Sequence, residues 1–260
     1  MLRSLDVAKT GLEAQQTMLD VVSNNLANLN TTAFKRTRAV FQDLVYDTVR
    51  SPGAPTSQTT FASTGLQLGN GSQVVGTSRN FAPGTVVVTG NVFDLSINGP
   101  GFFQVQLPNG TVAYTRDGSF SLDSNGSLVS SSGFPLVPTI TVNGVSPDTV
   151  VINPQGGVSG KDANGNVQQI GTIQLVSFIN NAGLLSLGGN LFAETTASGQ
   201  PVVGTPGLNG LGEIGQKQLE NSNVNVAEEL VNLISAQRSF EIASRAISSS
   251  DQILQKLGQL

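Results

Sequence analysis

All 11 prolines of this 260-residue chain, and 28 of its 30 glycines, fall between Pro52 and Gly215. Only Gly11 and Gly258 lie outside that block. Charge is distributed the other way, with 10 charged residues in 52–215 and 20 in the 96 flanking positions. Glycine and proline break helices and punctuate β-turns, so the middle is expected to be β and both ends helical. The fold class that follows is α+β, with an antiparallel β domain inserted between an N-terminal and a C-terminal helix.

What the chain lacks narrows its chemistry. There is no His and no Cys, which removes a Ser-His-Asp triad, a thiol nucleophile, a zinc site and a disulfide framework. Charged residues are 12% of the chain, about half the usual share of ~25%. Uncharged polar residues fill the difference, while 38% apolar residues still suffice for a core. A net charge of −4 argues against nucleic acid or an anionic membrane as the main partner. No apolar run approaches the ~18–20 residues that span a bilayer, so no membrane insertion is expected. Asp6, Lys9 and Glu13 interrupt any apolar stretch near the N-terminus, so a cleavable secretory signal is not expected either.

The ends carry helical periodicity. Leu5, Ala8, Leu12, Gln15, Leu19, Val22, Leu26 and Leu29 follow alternating steps of three and four, the a/d seam of a coiled-coil helix. Near the other end Asn225 is placed to cap a helix, with Glu228 as its capping-box partner. Glu228 and Glu229 suit that helix's positive end and Lys256 its negative end. Val226, Leu230, Leu233, Phe240, Ile247 and Leu254 form a second seam, interrupted by Gln237, Ser244 and Asp251. Residues 1–30 and 222–260 are therefore expected to pair as a coiled-coil-like stalk. Both stripes are wider than one seam, which leaves two readings open. Either the stalk packs on its own β domain, or neighbouring copies complete the stripes.

Turn signals divide the middle into short strands. Pro108-Asn109-Gly110 separates 101–107 from 111–115, and Asp123-Ser-Asn-Gly126 separates 119–122 from 127–129. Asn143-Gly144 and Asp162-Ala-Asn-Gly165 repeat the pattern, which suggests a sandwich-like or partly barrel-like antiparallel domain. None of the candidate chemistry survives inspection. Asp162-Ala-Asn-Gly-Asn166 starts like a calcium loop, but its glycine is misplaced and Ile173 stands where the closing Glu belongs. The glycines at 99, 101, 207, 210 and 212 lack dinucleotide-loop spacing. No nucleophile elbow or phosphate loop occurs. No catalytic residue, cofactor or metal ligand is expected, and the chain does not read as an enzyme.

Several segments resemble one known family. Val22-Ser-Asn-Asn-Leu-Ala-Asn28 followed by Thr32-Ala-Phe-Lys-Arg36 is similar to the N-terminal signature of bacterial flagellar rod and hook axial proteins. Asn98-Gly-Pro-Gly-Phe-Phe103 and Tyr114-Thr-Arg-Asp-Gly-Ser-Phe120 resemble its β-domain motifs. Thr205-Pro-Gly-Leu-Asn-Gly210 and Glu220-Asn-Ser-Asn-Val-Asn-Val-Ala-Glu-Glu-Leu-Val231 resemble its C-terminal signature. Ala33 departs from the family's usual Gly, and Phe240 from its usual Tyr. The matching motif residues are Asn24, Asn25, Asn28, Phe34, Lys35, Asn223, Asn225, Glu228 and Glu229.

Length and an insertion running from Phe41 to Gly69 resemble the distal rod members of that family. Three regions follow: the terminal helices as an axial core, a connecting region over 31–70, and a β domain over 71–221. An extended arm at about 46–65 carries Tyr46, Arg50, Pro52, Gly53 and Gly65. The resemblance implies a structural subunit that polymerises into a rigid periplasm-crossing shaft. Its implied partners are further copies of itself, proximal rod proteins, the hook protein, the P- and L-ring bushing proteins and the flagellar type III export apparatus. Export by that route needs no cleaved signal. A proximal rod or hook-type protein is the alternative within the family. A secreted adhesin or carbohydrate-binding β protein is the alternative outside it, and its expected aromatic cluster is missing, with no Trp and 5% aromatics.

Overall fold

The computed structural model describes residues 2–53, 61 and 63–258; side chains at 2, 4, 251, 254, 257 and 258 lie outside the described set. The chain folds into two compact units. The first holds Met1–Ala27, Thr37–Ser78 and Asn225–Leu260, and the second holds Asn28–Arg36 and Arg79–Val224. The protein is α+β. No described helix is long and apolar enough to cross a membrane.

The first unit is built on two helices, α1 (Leu2–Ala27) and α2 (Val226–Gly258). Both segments are free of proline and rich in straight-chain helix formers. The Asn225 side-chain oxygen accepts from the Ala227 and Glu228 amides at 3.0 and 3.4 Å, which starts α2 where a cap is expected. The helices pack against each other, and Ala14, Val22 and Asn25 of α1 and Glu229 and Ala236 of α2 are buried. Strand Thr37–Asp43 pairs with Ser72–Arg79 and packs on α1.

The connecting region is not a bare loop. Asp47–Arg50 pairs antiparallel with Leu66–Leu68, with Asp47 opposite Leu68 and Arg50 opposite Leu66, so the base of the expected arm is a hairpin. Arg3 holds that base. Its guanidinium donates to Asp47 at 3.0 Å and to the Leu68 carbonyl at 2.6 Å. A Cβ on Gly65 would lie 2.6 Å from the Arg50 carbonyl oxygen and 2.7 Å from Pro52, so only glycine closes the hairpin here. Residues 54–60 and 62 of the arm lie outside the described residues.

The second unit is β apart from two 3-10 turns at Pro147–Thr149 and Asn181–Gly183. Its largest sheet has five antiparallel strands in the spatial order Leu136–Val137, Phe103–Gln106, Val112–Thr115, Leu191–Ala193 and Leu185–Gly188. Successive side chains of a strand face opposite ways, so neighbouring residues enter different cores. Phe103, Ala113 and Leu191 join the main core with Leu95, Val105, Phe120 and Leu175. Phe102, Tyr114 and Phe192 face a second, aromatic cluster with Phe178 and Phe81. Its rings meet edge to face at 4.8–6.1 Å, the geometry their quadrupoles favour.

The turns at 108–110, 123–126 and 162–165 each join a hairpin as their residues suggest. Asn143-Gly144 does not. It links single bridges, Thr141 to Ser127 and Val145 to Asp162, because the residues around it are too few to run two ladders. Nor do the strands form two broad facing sheets; beyond the five-stranded sheet they make one three-stranded and several two-stranded pieces.

Candidate assembly site: asparagine clamps and a helix stripe

Two of the motif asparagines, Asn25 and Asn223, act as substitutes for backbone. An amide side chain offers one donor and one acceptor group, as a peptide unit does. Asn25, buried in α1, accepts from the Thr37 amide at 3.0 Å and donates to the Thr37 carbonyl at 2.8 Å. It also donates to the buried Glu229 carboxylate of α2 at 3.3 Å. One side chain thereby ties α1, α2 and the chain leaving the signature loop. Asn28 accepts from the Thr31 hydroxyl at 3.1 Å and so shapes the turn that follows α1. Asn24 is exposed on α1.

The second unit has its own clamp. Asn223 accepts from the Arg36 amide at 2.7 Å and donates to the Asn80 and Ala82 carbonyls at 2.9 Å each. The Phe34 carbonyl accepts from the Asn223 amide. Below this lies an ion cluster. Glu220 is 1% exposed; its Oε1 accepts from Lys35 at 2.5 Å and its Oε2 from Arg116 at 2.9 Å. Lys35 also donates to the Ala82 carbonyl, and Arg116 to the carbonyls of Ile97, Gly99 and Gly101. Burial, helped by the Arg116 charge, pushes the Lys35 ammonium down to about 8 against the opposing pull of Glu220. Removing one member of so buried a group strands the others, at a cost of about 3–5 kcal/mol.

Lys35 is among the motif residues named from sequence, whereas Glu220 and Arg116 lie inside quoted motifs without being named as site residues. The signal that marks Arg116 is scarcity: the block 52–215 holds only Arg79, Arg116 and Lys161 as cations.

The seam residues divide. Leu5, Leu12, Leu19 and Leu26 are half-buried on α1, with Val22 buried; Leu29 is half-buried beyond the helix. On α2, Leu233, Phe240 and Ile247 are half-buried in line with Ala236 and Ala243. Val226 and Leu230 are not in that line: they are 40% and 43% exposed. The packed face of α2 runs through the small alanines, which let the helices approach, and turns Val226 and Leu230 outward. Leu254 lies outside the described side chains. Val231, Ile234 and Ile242 extend the exposed apolar stripe, and Val231, Ile234, Ser235, Arg238 and Ser239 line a shallow groove of about 330 Å³. Glu228 stays exposed in the first turn.

Comparison with known proteins fits this picture at both ends. Residues 5–35 match the family described as "Flagella basal body rod protein", and 216–260 match "Flagellar basal body rod FlgEFG protein C-terminal". Residues 96–160 match "Flagellar hook protein FlgE/F/G D1 domain". The flagellar basal-body rod protein FlgG of Buchnera aphidicola subsp. Schizaphis graminum is 51% identical, covering 100% of both chains. The chain belongs to the FlgG family. The FlgG protein of Borreliella burgdorferi is 44% identical over 98% of this chain and 97% of its own. A FlgF rod protein of Mesorhizobium japonicum is 32% identical over 99% of both chains, well below those FlgG relatives. Among solved structures, the Helicobacter pylori flagellar hook protein FlgE2 matches 72% of this chain and 43% of its own at 16% identity, with a TM-score of 0.24. In this FlgG-family chain the asparagines of both clamps fall within the two terminal matches, since 5–35 holds Asn25 and Lys35 while 216–260 holds Glu220, Asn223 and Glu229.

Proposed function

We propose that this chain is the structural subunit of the flagellar distal rod and polymerises helically into the stiff shaft that carries motor torque to the hook. Full-length similarity to FlgG rod proteins supports the rod assignment most directly. The helix pair supplies the axial contacts, with α1 and α2 pairing as a coiled coil and the outward stripe of Val226, Leu230, Val231 and Ile234 meeting neighbouring copies. Contacts of this heterologous kind do not close on themselves and generate a helical tube. The role is structural rather than catalytic. The subunit would leave the cell through the flagellar export apparatus, meet proximal rod proteins at one end and the hook protein at the other, and turn inside the ring bushings. Basal bodies from a strain lacking the gene test the reading by electron microscopy. Rods that stop short of the hook are expected, and normal hooks and filaments in that strain would overturn it.

A further inference from the structure

Seven Asn-Gly dipeptides occur in the chain, at Asn70, Asn98, Asn109, Asn125, Asn143, Asn164 and Asn209. This dipeptide carries an intrinsic reaction. The amide nitrogen of the glycine attacks the asparagine Cγ, a C–N bond closes a succinimide ring, and the side-chain nitrogen leaves as ammonia. Water then opens the ring to aspartate or isoaspartate, with no oxidant or cofactor consumed. The reaction needs a glycine N–H free to lose its proton, an asparagine side chain free to swing, and a backbone free to bend.

Six of the seven sites withhold at least one of these. The glycine amides of 110, 126 and 165 donate to the carbonyls of Leu107, Asp123 and Asp162 at 2.8–2.9 Å. Their asparagines are held as well: Asn109 accepts from Thr111, while Asn125 and Asn164 donate to Asp123 and Asp162. Asn70 donates to the Val45 carbonyl at 2.7 Å. Asn98 lies in a strand, opposite Glu213. Asn209 sits in a turn closed by the Leu211 amide donating to the Leu208 carbonyl at 2.9 Å.

Asn143 withholds none of the three; exposed Asn209 and Gly210 also lack such hydrogen bonds, and the closed turn is what separates them from Asn143. Both Asn143 and Gly144 are exposed, and among the described residues neither the Asn143 side chain nor the Gly144 amide makes a hydrogen bond. No bond spans the turn from Val142 to Val145. The flanks are fixed, since Val142 and Val145 are buried and the Val142 amide donates to the Gly126 carbonyl at 2.7 Å. Only the dipeptide itself has to move. We propose that Asn143 is a site of spontaneous conversion to aspartate and isoaspartate, one that adds a negative charge to the second unit as the folded protein ages.

Incubating the full folded chain in mildly alkaline buffer and mapping its tryptic peptides tests this. Asn125 and Asn143 fall in the same peptide, 117–161, so fragment ions compare them directly. Conversion at Asn125 must first break two hydrogen bonds of about 0.5–1.5 kcal/mol each, which sets an expected rate at least about fivefold below that of Asn143. The same chain in denaturant should convert both at similar rates. Equal rates in the folded chain, or a faster rate at Asn125, Asn109 or Asn164, would overturn the assignment.

Discussion

Ala33 stands in the left-handed region at φ 57°, with its methyl 2% exposed and its amide donating to the Glu220 carbonyl at 2.7 Å. Rod and hook proteins usually carry glycine there, and the backbone shows why. Alanine tolerates this φ at a cost of about 1–2 kcal/mol, which its buried methyl offsets by ~0.8 kcal/mol. Ala33→Gly is therefore expected to change stability by no more than about 1 kcal/mol, whereas Ala33→Val should destabilise by about 2 kcal/mol or more. Thermal denaturation of the two variants checks this, and a tolerated valine would refute the strained φ. Lys35 permits a pH prediction. Its folded value of about 8 lies below the ordinary 10.5, so across that window the unfolded chain holds a proton that the folded chain has released. Stability from this residue is lowest below pH 8 and grows as pH climbs toward 10.5. Urea melts across the window should show that rise in the native chain and lack it in Lys35→Met; an equal rise in both would refute it. The sequence held Lys35 and Glu220 in two separate signatures but not their pairing, because they lie 185 positions apart and only folding brings them together.

At the scale of elements, the glycine and proline distribution made both helices and the β middle legible. The cap at Asn225 and three of the hairpin turns were legible too, because each depends on residues a few positions apart. Which face of α2 meets α1 was legible only in part, since Leu233, Phe240 and Ile247 of the expected seam lie in the packed line and Val226 and Leu230 do not. Periodicity offered a stripe of large residues beginning at Val226 and Leu230, but close packing of two helices favours small residues at the contact, and Ala236 at 3% exposure takes that place. The difference is testable. Leu230→Asp puts a charge on an exposed position and should alter monomer stability by less than about 0.5 kcal/mol while abolishing polymerisation. Ala236→Asp buries a charge between helices and should destabilise the first unit by several kcal/mol. Circular dichroism melts separate the two. A Leu230→Asp chain that still forms rods would show that the outward stripe is not a subunit contact.

At the scale of the molecule, the chain passes between its two units four times, after Ala27, Arg36, Ser78 and Val224. The hairpin that starts the arm belongs to the first unit and contributes nothing to either core of the second. Its side chains face solvent in the single chain: Val49 is 60% exposed, Phe61 70% and Leu66 47%. Exposed apolar residues gathered on one hairpin mark a contact surface. An extended arm can also add backbone hydrogen bonds to a neighbour's strand edge. Such contacts along a tube would oppose the sliding of subunits that bending requires. Deleting residues 50–63 removes the arm while sparing Arg3, Asp47 and Leu68 at its base. The expected outcome is a chain whose β unit melts as before and whose rods, in isolated basal bodies, are curved or flexible instead of straight. A straight rod from the deleted chain would place the origin of stiffness in the helix contacts.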